Sequence, residues 1–314
     1  MDQFDLTAIG LCSWDRMLVV DTYPGPGEYA IVRHQSEQPG GTTSNTCAAL
    51  ARLGFKPQLV AAIGSDAQGE ALAESLVRDG CDVQHLLRKD IPTDSAVIVV
   101  SGRGSSADRT IFWQQGARLA FGDHLPMGEL LDRRWILVDV DDHRLRSFLL
   151  DFPAHQSPRT RLIGAMTYLV EMSPQAGLNH AFQHDYLVGN ERELQYLARA
   201  DSFDDAVATF QSQMPGTACR AAFVSRGAGG SVAIHPGGIQ HCAAFSIDVV
   251  DTTGAGDAFA AGTIFGIISG WEDAEILQFG NAVGGLACRK LGARASLPSR
   301  SEVDAIIHET RSLQ

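Results

Sequence analysis

One segment in the C-terminal part of this chain constrains its fold more than any other. In Val249–Phe259 an apolar strand end runs through Thr-Thr-Gly-Ala-Gly-Asp into a helix of small and apolar residues. The free N–H groups at a helix start point outward, and the helix dipole adds partial positive charge there. Because Gly254 and Gly256 carry no side chain, an anion such as phosphate can approach these donors closely. The segment therefore predicts a strand–turn–helix anion site.

Asp257 falls in the first turn of this helix, beside the expected anion. A carboxylate there is well placed to take a proton from a hydroxyl that attacks a phosphoryl group. The alternative is an ordinary glycine-rich helix start with Asp257 as a cap, but the full string in its strand–turn–helix setting favours the anion site. The chain contains neither G-x-x-x-x-G-K-[ST] nor G-x-S-x-G. A Walker-type nucleotide site and an α/β-hydrolase nucleophile are therefore not supported.

The rest of the chain alternates short apolar runs with helical patterns. The predicted strands are Leu6–Cys12, Pro57–Ile63, Trp135–Val140, Asp185–Val188 and Ala221–Ser225. The predicted helices are Ser44–Leu53, 68–78, a helix from Glu191, Gly254–Ile268, Asp273–Lys290 and Ser301–Thr310. This alternation predicts an α/β fold in which a central, mostly parallel sheet is flanked by helices on both faces.

Two β-rich stretches interrupt this alternation. Arg16–Gln38 contains a Pro-Gly turn, and Ser95–Gln115 has V-I-V-V and T-I-F-W on either side of the turn text G-R-G-S-S-A-D. They are expected to pair into a small sheet that acts as a lid on a single domain spanning residues 1–314. The alternative is two surface hairpins without a role. Because lid sheets have open edges and apolar faces, we expect a homodimer formed through the lid.

Charge and composition narrow the class of function. The 314 residues carry a formal net charge of −12, which argues against nucleic acid or an anionic membrane as the main partner. No apolar run is long enough to span a membrane, and the start MDQFDLTAIG has no basic segment typical of a secretory signal. The six cysteines are far apart without a C-x-x-C pair. They are expected to be reduced, mostly buried thiols of a cytoplasmic protein.

Several strings together resemble a known family. Asp251–Asp257 resembles the C-terminal signature of the PfkB carbohydrate kinases, and Gly40–Asn45 followed by Ala48–Gly54 resembles their N-terminal signature. Shorter matches, in the order of the family, are Gly64–Gly69, Asn190–Glu193 and Val224–Gly230. The resemblance covers nearly the whole chain. It implies a ribokinase-like fold and an ATP-dependent kinase that uses Mg²⁺.

The resemblance also implies roles at the catalytic and substrate positions. Asp257 matches the catalytic base of the family, and Arg109 matches a lid arginine whose guanidinium reaches the ATP phosphates. The backbone amides of the anion hole match Gly254, Ala255 and Gly256. The residues that match the sugar site are Asp15, Gly40, Gly41 and Asn45. For Arg109 the alternative is a solvated charge on a hairpin.

Further matches concern the nucleotide and the metals. The nucleotide loop matches Ser225, Gly227 and Gly230, and Asn281 lies in the helix that flanks the adenine in relatives. Asn190 and Glu193 match the pair that organises Mg²⁺, as expected through water. The alternative is that Asn190 only caps the helix from Glu191, with Glu193 as its third residue. Asp251 matches a position where K⁺ binds in the family.

Departures from the family pattern point to the substrate. Ser13 and Thr42 stand where ribokinase has Asn and Lys, which disfavours ribose. The N-terminal half is more similar to ketohexokinase, and the C-terminal half also resembles sulfofructose kinase. Where the latter has an arginine, this chain has Asp141 in the acidic run Asp139–Asp142. An acidic lining repels sulfonates and sugar phosphates, so we expect a neutral ketose or similar polyol.

Three other functions remain open from the sequence. A sulfofructose kinase-type activity follows from the C-terminal similarity. A nucleoside kinase of the same fold would need aromatic stacking, which Trp14 and Trp113 could supply. A non-catalytic sugar or nucleotide sensor on the same fold is disfavoured, because binding alone does not require the base.

Overall fold

The computed structural model describes residues 4–102, 108–125, 127–131, 133–156 and 160–312. The strands are β1 (Leu6–Gly10), β2 (Ser13–Val20), β3 (Val32–Gly40), β4 (Pro57–Gly64), β5 (Asp82–Lys89), β6 (Ser95–Ser101), β7 (Asp108–Gln114), β8 (Trp135–Asp139), β9 (Arg161–Ala165), β10 (Tyr186–Asn190), β11 (Ala221–Ser225), β12 (Ser231–His235) and β13 (Gly238–Cys242). The helices are α1 (Thr42–Arg52), α2 (Ala67–Asp79), α3 (Met127–Leu131), α4 (His143–Gln156), α5 (Pro174–Ala181), α6 (Glu191–Ala198), α7 (Phe203–Gln213), α8 (Ala255–Ser269), α9 (Asp273–Ala287) and α10 (Arg300–Ser312).

A nine-stranded sheet forms the centre of the molecule, in the order β13-β12-β11-β10-β9-β8-β1-β4-β5. Its pairings are parallel except those of β12, which runs antiparallel to both neighbours. Strands β1 and β4 are buried along their whole length, with no alternation of polar residues. This is the pattern of parallel strands that are covered on both faces. The prediction of an α/β fold with a mostly parallel sheet is confirmed.

The order of the strands reverses between β1 and β8. From β1 the sheet continues through β4 to β5, whereas the later strands β8, β9 and β10 extend it in the other direction. At such a switch point a crevice opens outside the carboxyl ends of the strands, where ligands of α/β proteins bind. Gly10, Asp139 and Asn190 end three strands at this edge. A Cβ on Gly10 would collide with Thr43, so glycine lets α1 start close against the sheet.

Helix α8 is the central helix of the core. It is buried over most of its length and packs mainly against α9 and α1. A helix that is apolar on all sides belongs in the interior of a protein. The contact with α9 is close, because a Cβ on Gly262 would lie 2.9 Å from the Cα of Gly280. The N-terminus of α8 is therefore held in a fixed position relative to the sheet.

A separate four-stranded sheet has the order β3-β2-β6-β7. The pairs β2–β3 and β6–β7 are antiparallel, and β2–β6 is parallel. The strands begin at Ser13 and reach Gly40, slightly outside the expected stretch 16–38, whereas β6 and β7 fall within 95–115. Residues 103–107, most of the expected turn between them, lie outside the described residues. One face of this sheet has a small core of Met17, Ile98 and Val100. We refer to these four strands as the lid.

Two general expectations concern the helices and the cysteines. Within the described ranges, no helix combines the length and the apolar character needed to cross a membrane. All six cysteines are free, and all but Cys242 are buried. Burial raises the pKa of the Cys12 thiol to about 12, so this thiol stays protonated near neutral pH.

Candidate active site

A cavity of about 420 Å³ opens between the lid and the carboxyl ends of the central strands. This volume suits a small ligand. The predicted site residues that line it are Asp15, Gly41, Asn45, Arg109, Asn190, Glu193, Ser225, Gly254, Gly256 and Asp257. Predicted residues outside this lining are Gly40, Gly227, Gly230, Asp251, Ala255 and Asn281. The structure therefore brings most of the predicted residues together around one cavity.

The start of α8 depends on Gly254. This residue caps the helix in the left-handed conformation, with φ of 76°, which side chains strongly disfavour. A Cβ there would also lie 2.7 Å from the Cβ of Ala293. Gly256 has open space where a Cβ would be, so the backbone at this position is accessible. Only this backbone places the free amides of the helix start beside Asp257, the third residue of α8.

The carboxyl group of Asp257 has an unusual environment. Burial raises its pKa to about 7, and the Nδ2 group of Asn45 lowers the pKa by donating a 2.8 Å hydrogen bond to Oδ2. The charges of Asp139 and Asp15 raise the pKa further, whereas that of Arg109 lowers it. A carboxylate with a pKa near neutrality is suited to general-base catalysis. The cap alternative does not describe this side chain, which interacts with α1 and faces the cavity.

Asp15 forms the opposite, lid-side part of the pocket. Its side chain is buried, and Ser13 Oγ donates a 2.9 Å hydrogen bond to Oδ1. A Cβ on Gly40 would collide with the Asp15 carboxylate, which explains the first glycine of the pair. Gly41 has φ of 95° and contacts the backbone between Leu11 and Ser13. Burial raises the pKa of Asp15 to about 6. An ionised Asp15 can accept hydrogen bonds from substrate hydroxyls.

Sequence reasoning missed several cavity residues, among them Asp94, Tyr168 and Glu171. It noted Asp139 only as part of an acidic run. Thr42 Oγ1 and Thr43 Oγ1 each donate a 2.7 Å hydrogen bond to Asp139 Oδ2, while the buried Oδ1 has no hydrogen-bond partner. Burial raises the pKa of Asp139 to about 6. Its position at the end of an apolar strand was the signal that could have identified it.

The acidic lining of the cavity is not the run Asp139–Asp142 that was expected from the sequence. Asp139 lines the cavity, but Asp141 does not and instead forms an ion pair with Arg118. Asp94 lines the cavity in its place, and the same Arg118 lies with Nε 3.6 Å from Asp94 Oδ1. Its buried carboxylate accepts a 2.6 Å hydrogen bond from Trp113 Nε1. The cavity is thus acidic, although through carboxylates from several strands rather than through one sequence run.

Asn190 and Glu193 form a reciprocal cap at the start of α6. Glu193 N donates to Asn190 Oδ1 at 3.0 Å, and Asn190 N donates to Glu193 Oε2 at 2.9 Å. Both residues also line the cavity, so the observed cap does not exclude a role at the site, which stays a prediction. Burial raises the pKa of Glu193 to about 7, and the nearby charge of Asp139 adds to this effect.

The residues around Glu193 fit Mg²⁺ bound through water. A divalent cation would relieve the repulsion between Glu193 and Asp139, whose buried Oδ1 has no hydrogen-bond partner. Over the described ranges, no cluster of three or more His, Cys, Asp or Glu side chains could hold a metal directly. Mg²⁺ keeps several waters in most protein sites, so such a cluster is not required.

Asp251 ties two loops together behind the anion site. Its Oδ1 accepts hydrogen bonds from Thr253 N at 3.0 Å and Thr253 Oγ1 at 2.8 Å. Its Oδ2 accepts a 2.7 Å hydrogen bond from Gly292 N. These contacts give the buried Asp251 carboxylate a structural role. A role in binding K⁺ stays a prediction.

The predicted nucleotide residues lie on the far side of the cavity from Asp15. Ser225 ends β11 and lines the cavity, while Gly227 and Gly230 shape the following turn with φ of 54° and 84°. Asn281 does not line the cavity. Its Nδ2 donates hydrogen bonds to the carbonyl oxygens of Cys242 and Ala243, at 3.3 and 3.0 Å. Asn281 thus holds the loop after β13, and any effect on a nucleotide would pass through that loop.

Among the described lid residues, the cation Arg109 and several apolar groups line the cavity. Arg109 Nη1 donates a 3.1 Å hydrogen bond to Thr252 Oγ1, which lies just before the anion turn. Ile111 and Trp113 also line the cavity from β7. Trp14 does not line the cavity, because it alternates with Ser13 and Asp15 along β2, and its Nε1 donates to Glu37 at 3.2 Å. Of the two tryptophans that could stack on a base, Trp113 lines the cavity and Trp14 does not.

Known proteins match this chain over almost its whole length. Residues 3–300 match the model of the pfkB family carbohydrate kinases. A ribokinase of Haemophilus influenzae is 23% identical over 95% of this chain and 96% of its own length. An ATP-dependent ribose-1-phosphate kinase of Halopiger xanaduensis is 27% identical over 96% and 97%. A nucleoside kinase of Methanothermobacter thermautotrophicus is 24% identical over 95% and 94%.

Among solved structures, ribokinases have a fold similar to that of this chain. Arabidopsis thaliana ribokinase, solved with ribose and ATP, superposes with a TM-score of 0.79 at 23% identity, covering 96% of this chain and 98% of that structure. The large parallel sheet and the separate small sheet agree with this ribokinase fold. The family match and the fold lead to the same assignment. The chain belongs to the pfkB family of carbohydrate kinases and is a phosphotransferase with an alcohol group as acceptor.

Proposed function

We propose that this chain transfers the γ-phosphoryl group of ATP to a hydroxyl of a neutral ketose or similar polyol. The observation that carries the proposal is the position of Asp257, which faces the cavity directly after Gly254 and Gly256 at the start of α8. Support for ATP comes from the Arabidopsis ribokinase, which was solved with ribose and ATP.

In this mechanism, Asp257 accepts the proton of the attacking hydroxyl. The amides of Gly254, Ala255 and Gly256 stabilise the negative charge on the transferred phosphoryl group. Arg109 reaches the phosphates from the lid with a planar guanidinium that suits phosphate oxygens. Closure of the lid over the cavity excludes water and so limits hydrolysis of ATP.

Asn190 and Glu193 would hold Mg²⁺ through water at the nucleotide side of the cavity. When bound, the ion neutralises charge on the triphosphate. The capping hydrogen bonds between these two residues fix the Glu193 carboxylate before any ion arrives. We also propose that K⁺ binds near Asp251 and supports the same turn, as the family resemblance implies.

The substrate proposal follows from the charges of the cavity. Asp15, Asp94, Asp139 and Glu171 all line it, and Arg109 belongs to the phosphate side. Such a lining repels sulfonates and phosphorylated sugars and offers acceptors for hydroxyl groups. Arg118, which could have neutralised an anionic substrate, is paired with both Asp141 and Asp94. A sulfofructose kinase-type activity is therefore disfavoured, and this chain would differ from the ribose-1-phosphate kinase that resembles it.

A nucleoside kinase is the second candidate. On the lid side, the apolar lining of the cavity includes Ile98, Ile111 and Trp113, which could cover a base. One face of the Trp113 ring is covered by Arg118, whose guanidinium carbon lies 4.9 Å from the ring centroid. At the edge of the ring, the Nε1 group donates a hydrogen bond to Asp94. These contacts leave the opposite face for a ligand.

A substrate panel tests the proposal. Wild type, Asp257→Asn and the control Asp304→Asn would be compared for ATP turnover on fructose, ribose, adenosine, ribose 1-phosphate and sulfofructose. Asp304 lies on α10 outside the cavity. We expect activity on a neutral polyol, a loss of roughly a hundredfold or more in Asp257→Asn, and unchanged activity in the control. Preference for a sugar phosphate would refute the neutral substrate, and equal turnover in Asp257→Asn would refute the mechanism.

We further propose that the chain forms a homodimer through the lid. Large apolar side chains are exposed on or beside its strands, including Tyr29, Ile31 and Phe112. Open strand edges together with exposed apolar side chains favour pairing between subunits. Light scattering of the purified chain should give twice the mass of 33.7 kDa, and Phe112→Glu should shift it towards the monomer. A monomer at micromolar concentration would contradict this proposal.

A further inference from the structure

Arg294 is a buried cation directly behind the proposed base. It lies in the loop after α9 and is only 8% exposed. Its Nε donates a 2.8 Å hydrogen bond to Asn45 Oδ1, and its Nη2 donates a 2.7 Å hydrogen bond to Ser44 Oγ. Its Nη1 lies 3.7 Å from Asp79 Oδ2. Burying a guanidinium is costly even when it is paired, so this position requires an explanation beyond packing.

The contacts of Arg294 continue to Asp257 through one side chain. The carboxamide of Asn45 has one acceptor end and one donor end, whereas a guanidinium can only donate. Because Oδ1 of Asn45 faces Arg294, its Nδ2 must face the other way. There it donates the 2.8 Å hydrogen bond to Asp257 Oδ2. With the amide reversed, two oxygens would face each other at Asp257, which the guanidinium prevents.

The same loop also supports the anion turn. Gly292 N donates to Asp251 Oδ2 at 2.7 Å, and Ala293 packs where a Cβ on Gly254 would lie. Residues 292–294 thus contact the turn before α8 and the first residues of α1. A displacement of Arg294 would therefore act on the base and not only on the stability of the loop.

We infer that Arg294 is a positioning residue for phosphoryl transfer, because its guanidinium fixes the orientation in which Asn45 donates to the Asp257 carboxylate. This inference rests on the proposed role of Asp257 as the base. The inference gives a role to Arg294, which none of the sequence predictions above included. Arg294 contacts neither the cavity nor the reacting groups and acts through Asn45.

Loss of this orientation has a defined effect on the titration of Asp257. Besides Asn45 on α1, the charged groups that act on this carboxyl are Asp139 at the end of β8, Asp15 on β2 and Arg109 on β7. The two acids raise its pKa, and Asn45 and Arg109 lower it. Removing the oriented amide therefore moves the midpoint of Asp257 upward.

The experiment combines a titration with a mutant cycle. The carboxyl carbon of Asp257 would be followed by ¹³C NMR from pH 4 to 9 without substrate, its signal being assigned by its absence in Asp257→Asn. We expect Arg294→Met to raise the midpoint by about half to one pH unit, the effect of losing one oriented hydrogen bond. We expect kcat to fall about tenfold. In the Asn45→Ala background, the same substitution should change kcat by no more than about twofold, because its effect passes through Asn45.

Two further variants separate positioning from folding. Asp79→Asn removes the neighbour of Nη1 without touching Asn45, and it should lower Tm while leaving the midpoint unchanged. Arg294→Lys keeps the charge but loses the forked geometry, so it should shift the midpoint in the same direction by a smaller amount. This variant decides the question if Arg294→Met does not fold.

An unchanged midpoint in the folded Arg294 variants would overturn the inference, and so would a tenfold loss that persists in Asn45→Ala. The proposed function fails separately, if Asp257→Asn keeps the turnover of the wild type. The NMR midpoint does not depend on activity, so the two failures can be distinguished.

Discussion

The two walls of the cavity are built in different ways. The frame wall consists of α1, the start of α8 and the ends of the central strands, and its polar groups are held by hydrogen bonds such as that between Asn45 and Asp257. The lid wall consists of β2, β6 and β7, and on β7 the residues Arg109, Ile111 and Trp113 are exposed. Arg109 reaches the frame through Thr252 Oγ1.

This difference separates the residues proposed for the chemical step from the residues proposed to cover the substrate. The proposed base and the anion turn lie on the frame, where buried neighbours in α1 and α8 surround them. Groups that must admit and then cover a substrate lie on a sheet with a small core of its own. Substitutions in the frame should therefore reduce the rate of the chemical step, and substitutions in the lid should mainly weaken binding.

Gly254→Ala should have the largest effect, because it disturbs the frame at the anion turn. The new Cβ would meet Ala293, and the left-handed conformation adds strain of about 1 kcal/mol. We expect a loss of a hundredfold or more in kcat together with a lower Tm, measured by steady-state kinetics and calorimetry.

Gly216→Ala is the matched control for this change. Gly216 has φ of 84° with no atom within 4 Å of a Cβ, so it carries the same backbone strain without the collision. It should lower Tm slightly and leave kcat unchanged. If Gly254→Ala retained wild-type kcat, the anion turn would not carry the chemistry.

Arg109→Ala should have a smaller effect, because it acts from the lid. We expect the KM for ATP to rise about tenfold while kcat changes less than fivefold, since a charge-assisted contact to phosphate is lost but the base is intact. Arg33→Ala is the control, because Arg33 lies on β3 of the lid and pairs with Asp21 away from the cavity. A large fall in kcat with an unchanged KM would contradict the division between the two walls.

Much of the frame could be predicted from the sequence because local patterns determine it. The strand β11 was predicted with its observed bounds, and the helix expected over Gly254–Ile268 is α8 at Ala255–Ser269. The glycines of the anion turn are local signals as well, because a left-handed cap and a close approach require glycine. Asn190 and Glu193 were singled out through the resemblance to the family, and their spacing also fits the capping box that the structure contains.

The remaining parts of the site depend on contacts that are distant in sequence. Arg294 and Asn45 are separated by 249 positions, and nothing near Arg294 in the sequence indicates that it contacts α1. Asp94 follows no recognisable motif, and it enters the cavity because β6 pairs in parallel with β2. Asp141 pairs with Arg118, 23 positions away, and does not line the cavity. Such pairings are set by tertiary packing.

The pH dependence of kcat/KM for the acceptor, at saturating Mg-ATP, tests the role of Asp257 most directly. Its pKa is raised by burial to about 7, and only the deprotonated form can accept a proton, so activity is lost as pH falls through this value. We expect kcat/KM to rise about tenfold per pH unit below pH 7 and to level off above it. A profile that is flat from pH 5 to 8, or a midpoint near 4 as for an ordinary aspartate, would contradict the assignment of Asp257 as the base.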